Sequence, residues 1–170
     1  MTTTNSHQNT LSRPVKTVND SRTEQVQILS LGTLNGYSRL FGGQLMEWID
    51  IVAAVVARRH SNCNVTTAAV DSLDFNDAAY ANDTIVLQGY ITRVGNTSMD
   101  VCVKTYVEHL SGTRRLINTA YLVMVALDEK ERPTTVPRLK IETEEEQLEY
   151  EAALRRMQIR NSRRRQQNDK

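Results

Sequence analysis

The chain lacks any uninterrupted stretch approaching the ~20 apolar residues that a membrane-spanning helix needs, since even the run after Gly43 is broken by Glu47, Asp50 and Arg58. Cysteine is scarce as well. Cys63 and Cys102 stand 39 positions apart, with no close Cys or His pair at metal-ligand spacing, which argues against zinc and for a reducing compartment, the cytoplasm. Net charge is close to absent: 21 Lys and Arg oppose 20 Asp and Glu, so no overall field recruits nucleic acid or an acidic membrane. Residues 1–23 contain no apolar core of the kind a signal peptide carries, and their Thr, Ser, Asn and Gln content predicts a disordered lead.

What is present fits one globular domain. The 170 residues are enough for a single core and too few for two ordinary ones. Glu24 to Leu31 reads as a first strand, followed by a turn-rich loop that ends at Gly42-Gly43. From Gln44, Leu45, Ile49, Val52 and Val56 advance by four, three and four, with Trp48, Ile51 and Val55 as a second stripe. That predicts a helix apolar round most of its circumference and enclosed on more than one side, ending in the cationic turn Arg58-Arg59-His60.

The period then changes to two. Met99, Val101, Val103, Thr105 and Val107 alternate with polar or smaller neighbours, and residues 65–75, 84–94 and 114–127 read as companion strands. Gly95-Asn96 and Ser111-Gly112 supply hairpin turns. One helix followed by consecutive antiparallel strands is an α+β pattern in which a curved sheet wraps the helix. After Pro133 and Pro137, Thr143 and Glu146 form a capping box for a helix with acidic residues first and basic residues last. Tyr150, Leu154 and Met157 are its packing stripe, and Arg163-Arg164-Arg165 is expected in solvent beyond the ordered helix.

Asp50 is the residue that demands an explanation. With Glu47, Ala54 and Arg58 it falls on one helical face, and a solvated polar face is the ordinary fate of such a set. The alternative is a carboxylate kept beside a cavity as base or nucleophile. Gly42-Gly43 fits that alternative, because free amides at a helix start and the positive end of its dipole suit a developing oxyanion. His60 and His109 lack a Ser or Cys partner and read as surface or helix-end residues.

The segment from Asn35 through Phe41-Gly42-Gly43 to Asp50 closely resembles the signature of the hotdog-fold acyl-CoA thioesterases, the acyl-CoA hydrolase family. Val65 to Phe75 and Arg93 to Met99 are similar to that family's second strand and third-to-fourth strand turn, and the likeness spans about residues 24–138. The resemblance implies a five- or six-stranded antiparallel sheet around one long helix, with residues 139–170 as an added charged helix and tail. It implies hydrolysis of an acyl-CoA to a free acid and coenzyme A, the latter being part of the substrate, with no other cofactor and no metal. It places the catalytic carboxylate on Asp50, its partner Asn35 on a second subunit, and carbonyl polarisation at Gly42 and Gly43.

By the same likeness a homodimer is expected, or an assembly such as a trimer of dimers, with no membrane and no nucleic-acid partner. Gly95, Asn96, Thr97 and Ser98 are expected at the coenzyme A phosphates, a plain hairpin turn being the other reading. The loop at residues 75–83 departs from the family pattern. Asp77, Ala78 and Asn82 stand where relatives commonly have a base, a proline and a glycine. A non-catalytic acyl-CoA-binding hotdog module is the second reading. A dehydratase is disfavoured, because no histidine lies between Asn35 and Ala57.

Overall fold

The structure, a computed structural model, describes residues 13–168. In chain order it contains β1 (Val15–Thr17), β2 (Thr23–Ile28), α1 (Gly42–Ser61), β3 (Asn64–Phe75), β4 (Thr84–Val94), β5 (Ser98–Glu108), β6 (Arg114–Leu127), β7 (Arg138–Lys140) and α2 (Glu144–Asn168). Five strands form an antiparallel sheet in the order β2-β4-β5-β6-β3, and β1 pairs with β7 in parallel. The sheet cradles α1 on one face, which is the hotdog arrangement expected.

Strand alternation divides the apolar residues between two layers. Met99, Val101 and Val103 point at α1, where Leu45, Trp48, Ile49, Val52 and Val56 meet them in the main core. Tyr90 and Cys102 point the other way, forming with Val18 a smaller cluster on the opposite face. α1 approaches β4 closely. A Cβ on Gly89 would stand 2.7 Å from Val52 Cγ1 and 2.8 Å from Val56 Cγ2, and valine is stiff at χ1. Gly89→Ala is therefore expected to cost about 1–3 kcal/mol by overpacking. An unchanged urea midpoint would contradict this contact.

Several expectations are corrected. Residues 13–23 are ordered instead of belonging to a disordered lead; residues 1–12 lie outside the described part. Arg13 donates from Nε to the Val136 carbonyl at 2.6 Å and from Nη2 to the Gly95 carbonyl at 2.8 Å, and Val18 is buried. Polar composition concealed this, because the segment is held largely by side-chain and backbone hydrogen bonds. Arg163-Arg164-Arg165 is exposed but within α2, which continues to Asn168. The capping box is formed: Glu146 N donates to Thr143 Oγ1 at 3.2 Å, and Thr143 N to Glu146 Oε2 at 3.3 Å. Of the expected packing stripe, Tyr150, Leu154 and Met157 are half-buried, while Ala153 is fully buried.

His60 ends α1 as expected but is wholly buried, not at the surface. Its Nε2 lies 3.1 Å from the Pro137 carbonyl and must carry the proton to donate there. Burial pushes its pKa down from the ordinary 6.5. Below about pH 6.5 the unfolded chain then binds the proton that the folded chain resists, so this contribution to stability is complete above that pH and falls as pH drops toward the lowered value. The urea midpoint is expected to fall between pH 7.5 and 5.5, and to fall less in His60→Gln, which retains a donor for Pro137. Equal slopes for the two proteins would refute it.

Candidate active site

α1 is enclosed on one side only within the single chain. Met46 (47%) and Ile51 (46%) are exposed on its other side with Glu47 and Asp50, whereas Trp48 belongs to the core. Asp50 does not sit alone on that face. Thr67, on β3, donates from Oγ1 to Asp50 Oδ1 at 2.5 Å and also contacts Met124 Sδ at 3.6 Å. The bond fixes one carboxylate oxygen and leaves Oδ2 without a hydrogen bond among the described residues. β3 is an edge strand with register shifts between Thr67 and Ala69 and between Val70 and Ser72. Bulges of this kind re-aim side chains. Sequence reasoning missed Thr67, since one threonine in a β-rich segment carries no signal until its strand is placed beside α1.

Asn35 is held in a compact loop. Its Oδ1 accepts from Tyr37 N at 2.9 Å and Arg39 N at 3.2 Å, and its own N donates to the Arg39 carbonyl at 2.8 Å. Nδ2 has no hydrogen bond among the described residues, which narrows Asn35 from donor-and-acceptor to a donor. With Leu40, Leu45, Phe75, Ala79 and Tyr80 it lines a cavity of about 460 Å³ at the start of α1.

That start is uncapped by any side chain, because the N-cap position is Phe41. The amides of Gly42, Gly43 and Gln44 therefore have no intrahelical acceptor. A Cβ on Gly43 would stand 2.6 Å from the Phe41 ring, so glycine allows the ring to lie over the helix end. Asp50 lies eight residues further along α1, ~12 Å at 1.5 Å per residue. Within one chain the helix start and Asp50 are too far apart to hold the same carbonyl group.

The turn after β4 is closed by Gly95 N donating to the Ser98 carbonyl at 2.7 Å. Arg13 reaches the Gly95 and Asn96 carbonyls there, placing a cation that sequence reasoning did not assign. The side chains of Asn96, Thr97 and Ser98 have no hydrogen bond among the described residues. Thr67, Met124 and Met99 share one row across β3, β6 and β5. The turn thus begins about two strand spacings, ~10 Å, from Thr67.

The departures in the 75–83 loop are accommodated locally. Asp77 is paired with Arg115 of β6, which also donates to the Ala78 carbonyl, so the acid is neutralised. Asn82 has φ +71°, a conformation that asparagine tolerates better than most non-glycine residues. No group of three His, Cys, Asp or Glu among the described residues is placed to hold a metal ion. Nor is any described helix long and apolar enough to cross a membrane.

A long helix cradled by a curved five-stranded antiparallel sheet is the hotdog architecture. Residues 37–113 match the family model described as the Thioesterase superfamily. An acyl-CoA thioester hydrolase of Bacillus subtilis, itself uncharacterised, is 42% identical over 132 residues, 77% of each chain. A cytosolic acyl coenzyme A thioester hydrolase of Rattus norvegicus is 34% identical over 122 residues, 70% of this chain and 32% of that protein. The chain belongs to the acyl-CoA thioester hydrolase family and is an enzyme of the thioester hydrolase class.

Among solved structures, the Staphylococcus aureus acyl-CoA hydrolase in complex with butyryl coenzyme A, coenzyme A and coenzyme A disulfide superposes with a TM-score of 0.87 at 29% identity. The match covers 92% of this chain and 96% of that one. Forms of it with alanine in place of an asparagine, an aspartate or a threonine have also been solved. There the aspartate follows the asparagine by 15 residues and the threonine follows the aspartate by 17, the spacings of Asn35, Asp50 and Thr67 here. A hexameric acyl-CoA thioesterase in its apo form has a TM-score of 0.85 at 38% identity, covering 88% of this chain and 97% of its own.

Proposed function

We propose that this chain hydrolyses acyl-CoA thioesters in a site completed by two subunits, with Asp50 and Thr67 supplied by one and Asn35 and the Gly42-Gly43 helix start by the other. The observation that carries the reading is the Thr67-to-Asp50 hydrogen bond at 2.5 Å on an exposed helix face, with the helix start ~12 Å along α1 from Asp50 in the same chain. The spacing shared with the substituted residues of the Staphylococcus enzyme supports it. Further support comes from the surface. Met46 and Ile51 on α1, and Val70 and Phe75 on the free edge strand β3, are exposed apolar residues that a second subunit would cover.

The thioester carbonyl would be polarised by the amides at Gly42 and Gly43, each such donor contributing about 3–4 kcal/mol in the transition state. Asp50 Oδ2 takes a proton from the attacking water, and collapse of the tetrahedral intermediate expels the coenzyme A sulfur, which is reprotonated. Direct attack by Asp50 would instead give a mixed anhydride that water then opens. Thr67 orients the carboxylate in both routes. The turn at Gly95, Asn96, Thr97 and Ser98, with Arg13 beside it, would receive the phosphates of coenzyme A. The two free cysteines suit a cytoplasmic enzyme, and the hexameric relative suits dimers gathered into a larger assembly.

A panel of short, medium and long acyl-CoAs, followed by free thiol release, tests the reading. Turnover of at least one chain-length class is expected; tight binding with no thiol release from any would favour a non-catalytic binding module. Thr67→Val should lower kcat by roughly 10–100-fold, the equivalent of a hydrogen bond to a charged group worth about 1.5–3 kcal/mol. A Thr67→Val enzyme with unaltered kcat would remove that residue from the site.

A further inference from the structure

We propose that Arg160 and Asp71 are positioning residues for the hydrolysis: Arg160 of α2 grips Asp71 and so fixes the stretch of β3 that places the Thr67 hydroxyl on Asp50. The inference rests on the reading in which Thr67 orients that carboxylate. Within the chain β3 is an edge strand held by β6 alone, and two register shifts, between Thr67 and Ala69 and between Val70 and Ser72, leave Ala68 and Asp71 without a partner in the ladder. Between Thr67 and Asp71 only Ala69 and Val70 are paired with β6. Such a segment needs a second anchor.

The anchor is ionic and largely withdrawn from water. Arg160 donates from Nη1 to Asp71 Oδ2 and from Nη2 to Asp100 Oδ1, the latter at 3.1 Å, and the Arg160 and Asp71 side chains are 12% and 13% exposed. Asp100, on β5, is paired in turn with Arg93 of β4, Nε to Oδ2 at 2.6 Å. Two guanidinium groups thus balance two carboxylates and join α2 to β3, β5 and β4, with β6 passing between. Loss of Arg160 would fall unequally on the two acids. Asp100 keeps Arg93, whereas the Asp71 side chain has no other hydrogen bond among the described residues, and a carboxylate left unpaired at that depth must turn toward water. Thr67 lies four residues away, ~13 Å along the strand at 3.3 Å per residue.

α2 does not depend on Arg160 for its own place. Ala153 is buried, Glu149 accepts from Tyr90 Oη at 3.2 Å and Tyr121 Oη at 3.3 Å, and the Arg156 guanidinium lies 3.6 Å from the centroid of the Tyr121 ring. A substitution at Arg160 therefore removes the brace and leaves the helix on the sheet. Tyr90 and Tyr121 belong to the face opposite α1, so Arg160 acts through β3 and Thr67 and not on the thioester itself.

Steady-state thiol release by the full chain, in a double-mutant cycle with Thr67, tests the brace. Arg160→Met, which keeps the length of the side chain and removes its charge, should lower kcat by roughly 3–10-fold with KM within about twofold, as a slight misplacement of a catalytic group would. In the Thr67→Val background the same change should lower kcat by less than about twofold, because the bond it disturbs is already gone. Asp71→Asn, which leaves α2 untouched, should show the same pattern. The native mass of each variant should equal that of the wild type. A wild-type kcat in Arg160→Met beside a slow Thr67→Val, an equal fall in both backgrounds, or a fall that comes with loss of subunit association would each overturn the proposal. Should Arg160→Met fail to fold, the same three criteria apply to Asp71→Asn. A silent Thr67→Val would instead remove Thr67 from the site and this inference with it, which tells the two failures apart.

Discussion

Asp50→Asn is expected to lower thiol release from a good acyl-CoA substrate by roughly 10²–10⁴-fold, the range in which a positioned acid–base group contributes. The substitution is nearly isosteric. Its amide oxygen still accepts from Thr67, where Oδ1 now does at 2.5 Å, so the α1 to β3 contact is preserved. The amide can neither take a proton from water nor attack a thioester, so both chemical routes fail together. Coenzyme A affinity, measured as competitive inhibition of the wild type or by direct titration of the variant, should remain within a few-fold. Turnover within tenfold of the wild type would remove Asp50 from the chemistry.

The second large effect is expected at Asn35, and the choice of substitution decides its meaning. Asn35→Ala would strip the loop of the acceptor that holds Tyr37 N and Arg39 N, so a loss of activity would confound structure with chemistry. Asn35→Asp keeps that acceptor and removes the Nδ2 donor. A fall in kcat of about 10²-fold is expected, comparable with loss of one preorganised donor in the transition state. Circular dichroism and the urea midpoint should stay near wild type. A fully active Asn35→Asp enzyme would mean that the side-chain oxygen, and hence only the loop fold, matters.

The fold was legible where periodicity was strong. β4 was expected at residues 84–94 and occupies Thr84–Val94, because its apolar content and bounding turns leave little choice; β6 likewise occupies Arg114–Leu127. β1 and β7 have three residues each, too few for a pattern, and their parallel pairing joins residues far apart in sequence. α1 was expected to be enclosed on several sides, and Ile51 and Met46 show the difference: the sequence records a helix that requires covering, while one chain supplies only half of the cover.

At the candidate site, Asn35, Gly42, Gly43 and Asp50 were readable as one linear motif. Thr67 was not, because its meaning depends on an edge strand bent to bring its hydroxyl against Asp50. Arg13 and Arg115 were hidden for a similar reason. Each acts on a turn or loop distant in sequence, Arg13 at Gly95 and Arg115 at Asp77. Their charges are visible in the sequence, but their partners are a property of the fold.

The most direct test of a two-subunit site is to co-express Asp50→Ala and Asn35→Asp subunits with different tags, in equal amounts, and measure thiol release by the mixture. Each variant alone should be nearly inactive. In a mixed dimer one site combines intact Asn35 from one subunit with intact Asp50 from the other, while the second site carries both changes. Random pairing makes half of the dimers mixed, so about a quarter of wild-type activity per subunit should return. A mixture no more active than the separate variants, despite mixed dimers isolated through both tags, would show that Asn35 and Asp50 do not meet across subunits.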